Sequence, residues 1–479
     1  MPGAGDPAMS SDHPQAGPGA GDARESARLR RELAAARSAL ARAERDRAAM
    51  LSSRSWRVTG FLRRALQWWS DLRGRAPAPP VHRLARLPDD ATPPVHPDER
   101  LLFVDVTELA VEDHQGGVQR VVKAILAEWL AAPRPGWRVV PVRLAAEGAY
   151  MGASDALVAA LGNDLDAWAG RRIEAAPGDV FLGLDLVRDH AAPFARGLQA
   201  LRAQGARIWC VVYDLLPIDM PACFPAGIPK AFAEWLEVVQ AHADGVACIS
   251  TTVAERFRAW SHGRDRAPVV VAFPLGADPM FAPPQGGRSG THVLMVGTVE
   301  PRKGYADALD ACERLWATDH PQLSLWIVGR QGWASPALVA RLRRHPELGR
   351  RLHWIERAED ADVARHYASA DVLLGCSLGE GFGLPLVEAA RHGVPLVLRD
   401  LPEFREVAGE HALYFPRTGG AADIETALRA WLAARDAGHM PAPPPTIDWS
   451  DSAAALLDAI DPTNHTNAAS ASHRASLAG

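Results

Sequence analysis

From Leu101 onward the chain alternates short, nearly unbroken apolar runs with stretches of helical periodicity, and few architectures accept that pattern. The runs Leu101–Val106, Val180–Leu184, Ile208–Tyr213 and Gly245–Ile249 look like buried strands. Helical patterns fall between them at Val118–Leu130, Ala192–Ala203 and Ile228–His242, and buried strands alternating with helices imply a parallel α/β sheet. The segment Phe281 to Gly290, FAPPQGGRSG, breaks the series with Pro and Gly. A second series follows, with strands expected at His292–Thr298, Leu323–Gly329, Leu352–Glu356, Asp371–Cys376 and Pro395–Leu398. The expected fold class is therefore α/β: two doubly wound, Rossmann-like domains, 101–280 and 291–436, hinged at 281–290. Such a pair faces a cleft at the carboxyl ends of its strands. A spacer at 437–446 leads to an amphipathic helix within 447–461, and 462–479 is read as a disordered tail.

At 479 residues the chain exceeds a single core, and a composition 48% hydrophobic and 23% charged supplies enough apolar side chain for two or three. Wholesale disorder and collagen-like repetition are excluded. The net charge of −5 gives no whole-protein case for nucleic-acid binding, but it is unevenly spread. Ala23 to Arg75 holds fourteen Arg, no Lys and five acids, so this segment carries +9 against −14 elsewhere.

Residues 1–22 are read as disordered, and 23–75 as a helical appendage. Leu29, Leu33, Ala36, Leu40 and Ala43 step by 4, 3, 4, 3, the seam of a weak coiled coil. Residues 26–50 then make either a homodimer contact or a solitary charged helix. Between Trp56 and Leu72, Val58, Phe61, Leu62, Ala65, Leu66, Trp68, Trp69 and Leu72 gather on one helical side, with Arg57, Arg63, Arg64, Gln67 and Asp71 opposite. That profile suits a basic interfacial helix, so 54–75 is expected at the inner-membrane surface, the alternative being a docked protein face. Seven prolines between Ala76 and Arg100 make a stiff linker.

The five cysteines, Cys210, Cys223, Cys248, Cys312 and Cys376, include no C-x-x-C pair and read as thiols of a reducing compartment. No run approaches the ~18 apolar residues of a spanning helix, and Met1 to Gly21 lacks a signal-peptide layout. The expected location is cytoplasmic, peripheral on the inner membrane face.

The segment Ser377–Glu388, SLGEGFGLPLVE, carries the most chemistry. A strand runs into a glycine-rich turn, and Gly383-Leu384-Pro385 opens a helix whose amides form an anion site. Glu380 and Glu388 flank it with seven residues between them; if most of the segment is helical, the rise of ~1.5 Å per residue puts them about 12 Å apart. That is too far for an acid/base pair on one bond, but it suits the two ends of an extended sugar nucleotide with its diphosphate between. Two Glu at this spacing also arise by chance on helix surfaces; here they sit in EGFGLP directly after a buried strand.

These residues resemble the C-terminal domain of retaining GT-B glycosyltransferases of family 4, also called group 1, and specifically the mannosyltransferase-B-like enzymes of O-antigen and capsule assembly. Supporting segments are VGTVEPRKG (Val296–Gly304), VGRQGW (Val328–Trp333) and RDLPEFREVAG (Arg399–Gly409). Further ones in the first domain are FVDVTEL (Phe103–Leu109), GGVQRV (Gly116–Val121), VYDLLP (Val212–Pro217) and LGAD (Leu275–Asp278). The resemblance covers Leu101 to Ile460; outside it, Ser53–Thr59 is similar to an element that often precedes bacterial polysaccharide glycosyltransferase domains.

The resemblance implies a GT-B architecture and transfer of a hexose, with retention, from a nucleotide diphosphate sugar to a saccharide or lipid-linked oligosaccharide. GDP-mannose is the favoured donor. Glu380 is expected to contact hydroxyls of the donor sugar and Glu388 the ribose. Arg302 and Lys303 lie just beyond a strand, placed to neutralise the diphosphate, helped by helix-terminal amides around Gly381, Phe382 and Gly383. Thr298 stands where many relatives carry Arg, which leaves Arg302 as the substitute. The Gly116-Gly117 loop either brings amides to the diphosphate from the other domain or is a plain turn. Asp214 either orients a substrate as a catalytic residue or caps the following turn, and Tyr213 replaces the His that often precedes it. D-x-D at Asp164–Asp166 and Asp360–Asp362 falls in helical patterns, so no metal and no cofactor are expected. The rival readings are another nucleotide-sugar donor, a nucleotide-sugar epimerase and a non-catalytic scaffold.

Overall fold

The computed structural model describes residues 99–111, 116–153, 168, 170–278 and 291–461. The readings of 1–98, of the hinge 281–290, of Asp164–Asp166 and of the tail 462–479 lie outside the described residues.

The first lobe is built on seven strands: β1 (Arg100–Asp105), β2 (Trp137–Leu144), β3 (Tyr150–Gly152), β4 (Val180–Gly183), β5 (Arg207–Val212), β6 (Gly245–Cys248) and β7 (Val269–Ala272). Their order is β3-β2-β1-β4-β5-β6-β7, parallel throughout except that β3 runs against β2. The second lobe has six, β8 (Thr291–Val296), β9 (Leu323–Val328), β10 (Leu352–Ile355), β11 (Val372–Gly375), β12 (Leu396–Arg399) and β13 (Leu413–Phe415). Their order is β10-β9-β8-β11-β12-β13, all parallel. Each sheet starts in its middle, grows to one edge, then returns to grow the other way. The reversals fall between β1 and β4 and between β8 and β11, where diverging connections leave a crevice at the carboxyl ends.

Each strand expected from the sequence is present within a residue or two. The linker reading to Arg100 overshoots, because Arg100 already pairs in β1 with Trp137. The helix Ile228–His242 begins and ends as its periodicity indicates, opened by Gly227 at φ 95° and by Pro229 in its first turn. Four strands have no counterpart in the sequence reading. Arg138, Pro141 and Arg143 interrupt β2; β7 is a half-exposed edge; β3 and β13 are three residues each.

Each sheet has an apolar cluster on either face, joined in the first lobe by the end of the chain. After the spacer the helix Trp449–Ile460 packs on the helix Gly117–Ala131, and the Trp129 indole N–H donates to the Ala453 carbonyl at 3.0 Å. The Ala277 amide donates to the Ile447 carbonyl at 3.1 Å, so the chain passes between the lobes at two adjacent places. Among the described residues no helix is long and apolar enough to cross a membrane. Cys210, Cys248, Cys312 and Cys376 are buried free thiols and Cys223 is half-buried.

Candidate active site at the interlobe cleft

At the reversal of the second sheet, the loops after β8 and β11 are fastened together. Pro301–Lys303 form a 3-10 turn closed by Gly304 in the left-handed conformation, φ 72°. A Cβ at Gly304 would lie 2.5 Å from the Cys376 carbonyl oxygen, so only glycine lets the turn press against the end of β11. The Leu378 amide donates to the Arg302 carbonyl at 2.7 Å, and Arg302 Nη1 donates to the Gly379 carbonyl at 3.1 Å.

These contacts aim three charged groups at one point. Glu380 Oε1 accepts from Lys303 Nζ at 2.5 Å and from Ser377 Oγ at 2.6 Å; Oε2 accepts from Arg302 Nη1 at 3.0 Å. Arg302 Nε lies 3.0 Å from Glu300 Oε2. The three side chains are only 12–14% exposed, so their charges act through little water. Burial alone pushes the Glu380 carboxyl up, but Lys303, Arg302 and the Ser377 hydroxyl together hold it down at about 2. Glu300 goes the other way: burial raises its carboxyl despite Arg302 and Lys303.

Asp214, just past β5, caps the following turn. Its Oδ1 accepts from the Leu216 amide at 3.0 Å, capping the turn, and it also faces the second lobe. Burial raises its carboxyl while the Arg302 cation across the cleft lowers it. Tyr213 turns away into the core and donates to the Leu184 carbonyl at 2.7 Å.

The geometry of the paired glutamates corrects the sequence reading. The helix spans Leu384–Arg391, opened by Gly383 at φ 107°, so Glu380 lies in the preceding loop and a separation based on helical rise does not apply. Glu388 alone is helical, and its partners differ from those of Glu380. Tyr367 O–H donates to Oε2 at 2.6 Å, and Arg120 Nη1 lies 2.5 Å from Oε1.

Gly381 marks where the lobes meet. A Cβ there would stand 2.0 Å from the Tyr213 carbonyl oxygen, while Ser250 Oγ donates to the Gly381 carbonyl at 2.8 Å. Phe382 is buried among core residues of the first lobe. Gly116 and Gly117 open the helix Gly117–Ala131, and a Cβ on either would meet nothing within 4 Å among the described residues.

Residues that the sequence reading did not assign also bridge the lobes. Arg256 pairs with the buried Glu403, and the Glu406 carboxylate accepts from the Thr251 and Thr252 amides at 2.6 and 2.9 Å. Trp333 Nε1 donates to the Cys223 carbonyl at 2.7 Å. Glu300, Arg120, Trp333, Glu403 and Glu406 all lie inside the motif segments, so charged and aromatic positions there carried the signal. Arg256 sits in a helix that the sequence reading did not mark, and Tyr367 in the helix whose pattern begins at Asp360. His366 packs against Trp326 and His392 against Tyr367; Asp360–Asp362 begin the helix Asp360–Ser369, in keeping with the helical pattern expected there. The cavity beside Glu380, Lys303 and Ser377 measures about 20 Å³, room for a single water.

Residues 288–440, which contain Glu380, Glu388, Arg302 and Lys303, match the family model of glycosyl transferases group 1. This region is a glycosyltransferase group 1 domain. The chain is 35% identical over 379 residues to the serotype-specific mannosyltransferase WbdA of Escherichia coli, an alignment covering 75% of this chain and 46% of the relative. It is 34% identical over 125 residues to the O-antigen chain mannosyltransferase B of Escherichia coli, covering 26% of this chain and 32% of that one. The chain thus spans less than half the length of these curated relatives. The crystal structure of Anabaena Alr3699/HepE in complex with UDP and glucose superposes with a TM-score of 0.51 at 17% identity, covering 78% of this chain and 99% of that one. The fold around the glycosyltransferase group 1 domain is accordingly GT-B, two Rossmann-like lobes facing a cleft.

Proposed function

We propose that the chain transfers a hexose, mannose from GDP-mannose, to a saccharide hydroxyl in the assembly of a bacterial cell-surface polysaccharide. The observation that carries this reading is the convergence of Glu380, Arg302 and Lys303 at the reversal between β8 and β11. Two cations already held by a carboxylate are ready to exchange it for a diphosphate, whose charge and oxygens match them better. Glu380, released from them, then accepts hydrogen bonds from hydroxyls of the donor sugar, while Glu388 accepts from the ribose and the helix start at Gly116-Gly117 approaches the diphosphate from the other lobe. The relatives at 34–36% identity are named as mannosyltransferases, which supports the choice of sugar.

The reaction breaks the bond between the anomeric carbon and the phosphate oxygen and forms one to the acceptor oxygen on the same face, so configuration is retained. The departing diphosphate takes the acceptor proton. Arg302 and Lys303 stabilise the charge that develops on it, and Asp214, facing Arg302 across the cleft, orients the acceptor. No metal or cofactor takes part in this scheme. Closure of the lobes excludes water and limits hydrolysis.

The test is a donor panel of GDP-mannose, UDP-glucose and other nucleotide sugars with the full chain, with and without mannooligosaccharide acceptor. GDP-mannose is expected to give acceptor-dependent product with an α linkage. Epimerised sugar formed from donor alone identifies an epimerase instead, and transfer from another donor overturns the choice of mannose. Residues 54–75 are proposed as a tether to the inner membrane face and 26–50 as a homodimer contact. Deleting residues 1–75 is expected to release the protein from anionic vesicles in a flotation assay while leaving transfer to soluble acceptors unchanged; undiminished flotation sinks the tether.

A further inference from the structure

Both lobes and both chain crossings converge on Glu388. Arg120, whose Nη1 lies 2.5 Å from Glu388 Oε1, stands on the first lobe, in the helix that begins at Gly117. Its Nη2 lies 2.5 Å from Asp278 Oδ2, and Asp278 Oδ1 accepts from Trp449 Nε1 at 3.0 Å, at the head of the returning helix. Three residues beyond Glu388, Arg391 bonds to the Asp448 carboxylate and, at 3.4 Å, to the Ala277 carbonyl. The helix carrying Glu388 is therefore tied to both places where the chain passes between the lobes.

Glu388 is almost wholly buried, at 6% exposure. Burial pushes its carboxyl above the ordinary value, and Asp278 and Asp360 push the same way; Arg120 and the Tyr367 hydroxyl pull against them. The His392 ring stacks on Tyr367 at a centroid distance of 5.6 Å. A carboxylate that is to accept from both hydroxyls of a ribose must be ionised, because protonation turns one oxygen into a donor. Each oxygen of Glu388 has one partner here, and each has capacity for a second. The cation that opposes burial is supplied by the other lobe.

We propose that Arg120 is a positioning residue for the donor nucleotide: by reaching across the cleft to Glu388 it completes the ribose-accepting group only when the lobes are together. Nucleotide binding and lobe closure then become one event. The inference rests on the reading of Glu388 as the ribose contact. With the lobes apart Glu388 lacks the Arg120 cation and holds ribose weakly; on closure Arg120 keeps the buried carboxylate an acceptor at both oxygens.

The experiment uses the full chain and whichever of GDP and UDP the wild type binds more tightly, beside the 2′,3′-dideoxy form of the same nucleotide. Dissociation constants are measured by calorimetry from about pH 5.5 to 8.5 for wild type, Arg120→Gln and Arg120→Lys. The wild type is expected to prefer the ribose form by about tenfold or more, as loss of hydrogen bonds to a charged group predicts. Arg120→Gln is expected to lose that preference at the acid end and regain part of it at the alkaline end, since Glu388 ionises there without help. Arg120→Lys is expected to keep most of it at every pH. A wild-type preference in Arg120→Gln across the whole range overturns the proposal, as does an equal, pH-independent weakening of both nucleotides. Equal binding of the two forms by the wild type overturns the ribose reading of Glu388 itself, and the proposal with it.

Discussion

Glu380→Gln is expected to lower kcat for hexosyl transfer by about 10²- to 10³-fold while leaving binding of GDP intact or tighter. The two effects have opposite signs because the carboxylate has two duties. In the closed cleft it holds Lys303 Nζ at 2.5 Å and Arg302 Nη1 at 3.0 Å, so it competes with the diphosphate for both cations. On the proposed reading it accepts from sugar hydroxyls during transfer, bonds that strengthen as the sugar becomes oxocarbenium-like. Removing its charge frees the cations for the nucleotide and removes the sugar contact. Steady-state kinetics with GDP-mannose and calorimetry with GDP separate the two, and a wild-type kcat in the variant removes Glu380 from the site. Because the neighbouring cations hold this carboxyl at about 2, it stays ionised near neutrality and contributes no limb to the pH profile there. Its effect on folding follows the same sign. A depressed carboxyl adds stability that is fully present above its ordinary value of 4.5 and is lost as pH falls towards about 2, so the Gln variant lacks an acid-sensitive component in that window.

Lys303→Ala is expected to cost about 10³-fold in kcat/KM for the donor and, unlike Glu380→Gln, to weaken GDP as well. Lys303 has one polar partner in the site, Glu380, so its loss leaves the loop geometry standing. Arg302 differs. It also holds the Gly379 carbonyl and the buried Glu300, so Arg302→Ala strands carboxylates in a dry site and is expected to destabilise the fold by about 3–5 kcal/mol in addition to abolishing transfer. Urea denaturation beside kinetics distinguishes them: an Arg302→Ala variant as stable as wild type contradicts the dual role, and a Lys303→Ala variant with undiminished GDP affinity contradicts the diphosphate assignment.

What the sequence disclosed follows burial and locality. Val180–Gly183 and Gly245–Cys248 are covered on both faces, and such strands announce themselves as apolar runs. The strand Trp137–Leu144 does not, because Pro141 and two arginines break its pattern, although it forms the longest ladder beside β1. Arg302 and Lys303 were legible because each lies in a short loop directly after a strand, so its position depends on a few backbone dihedrals. The bond between Arg120 and Glu388 was not, since it depends on how two sheets meet after 267 intervening residues have folded. The same difference explains the helix length misjudged at Glu380: EGFGLP fixes a turn, and Gly383 at φ 107° delays the helix by a full turn.

The return of the Trp449–Ile460 helix to the first lobe sets an order on biosynthesis. The Trp129 indole waits for the Ala453 carbonyl, 324 residues later, before its half of the core is closed. A ribosome making this chain therefore delivers the first lobe long before that lobe can bury Leu126, Trp129 and Leu130 under Leu456 and Leu457. During that interval an apolar strip faces solvent or a chaperone, and any stop codon upstream of Trp449 makes the exposure permanent.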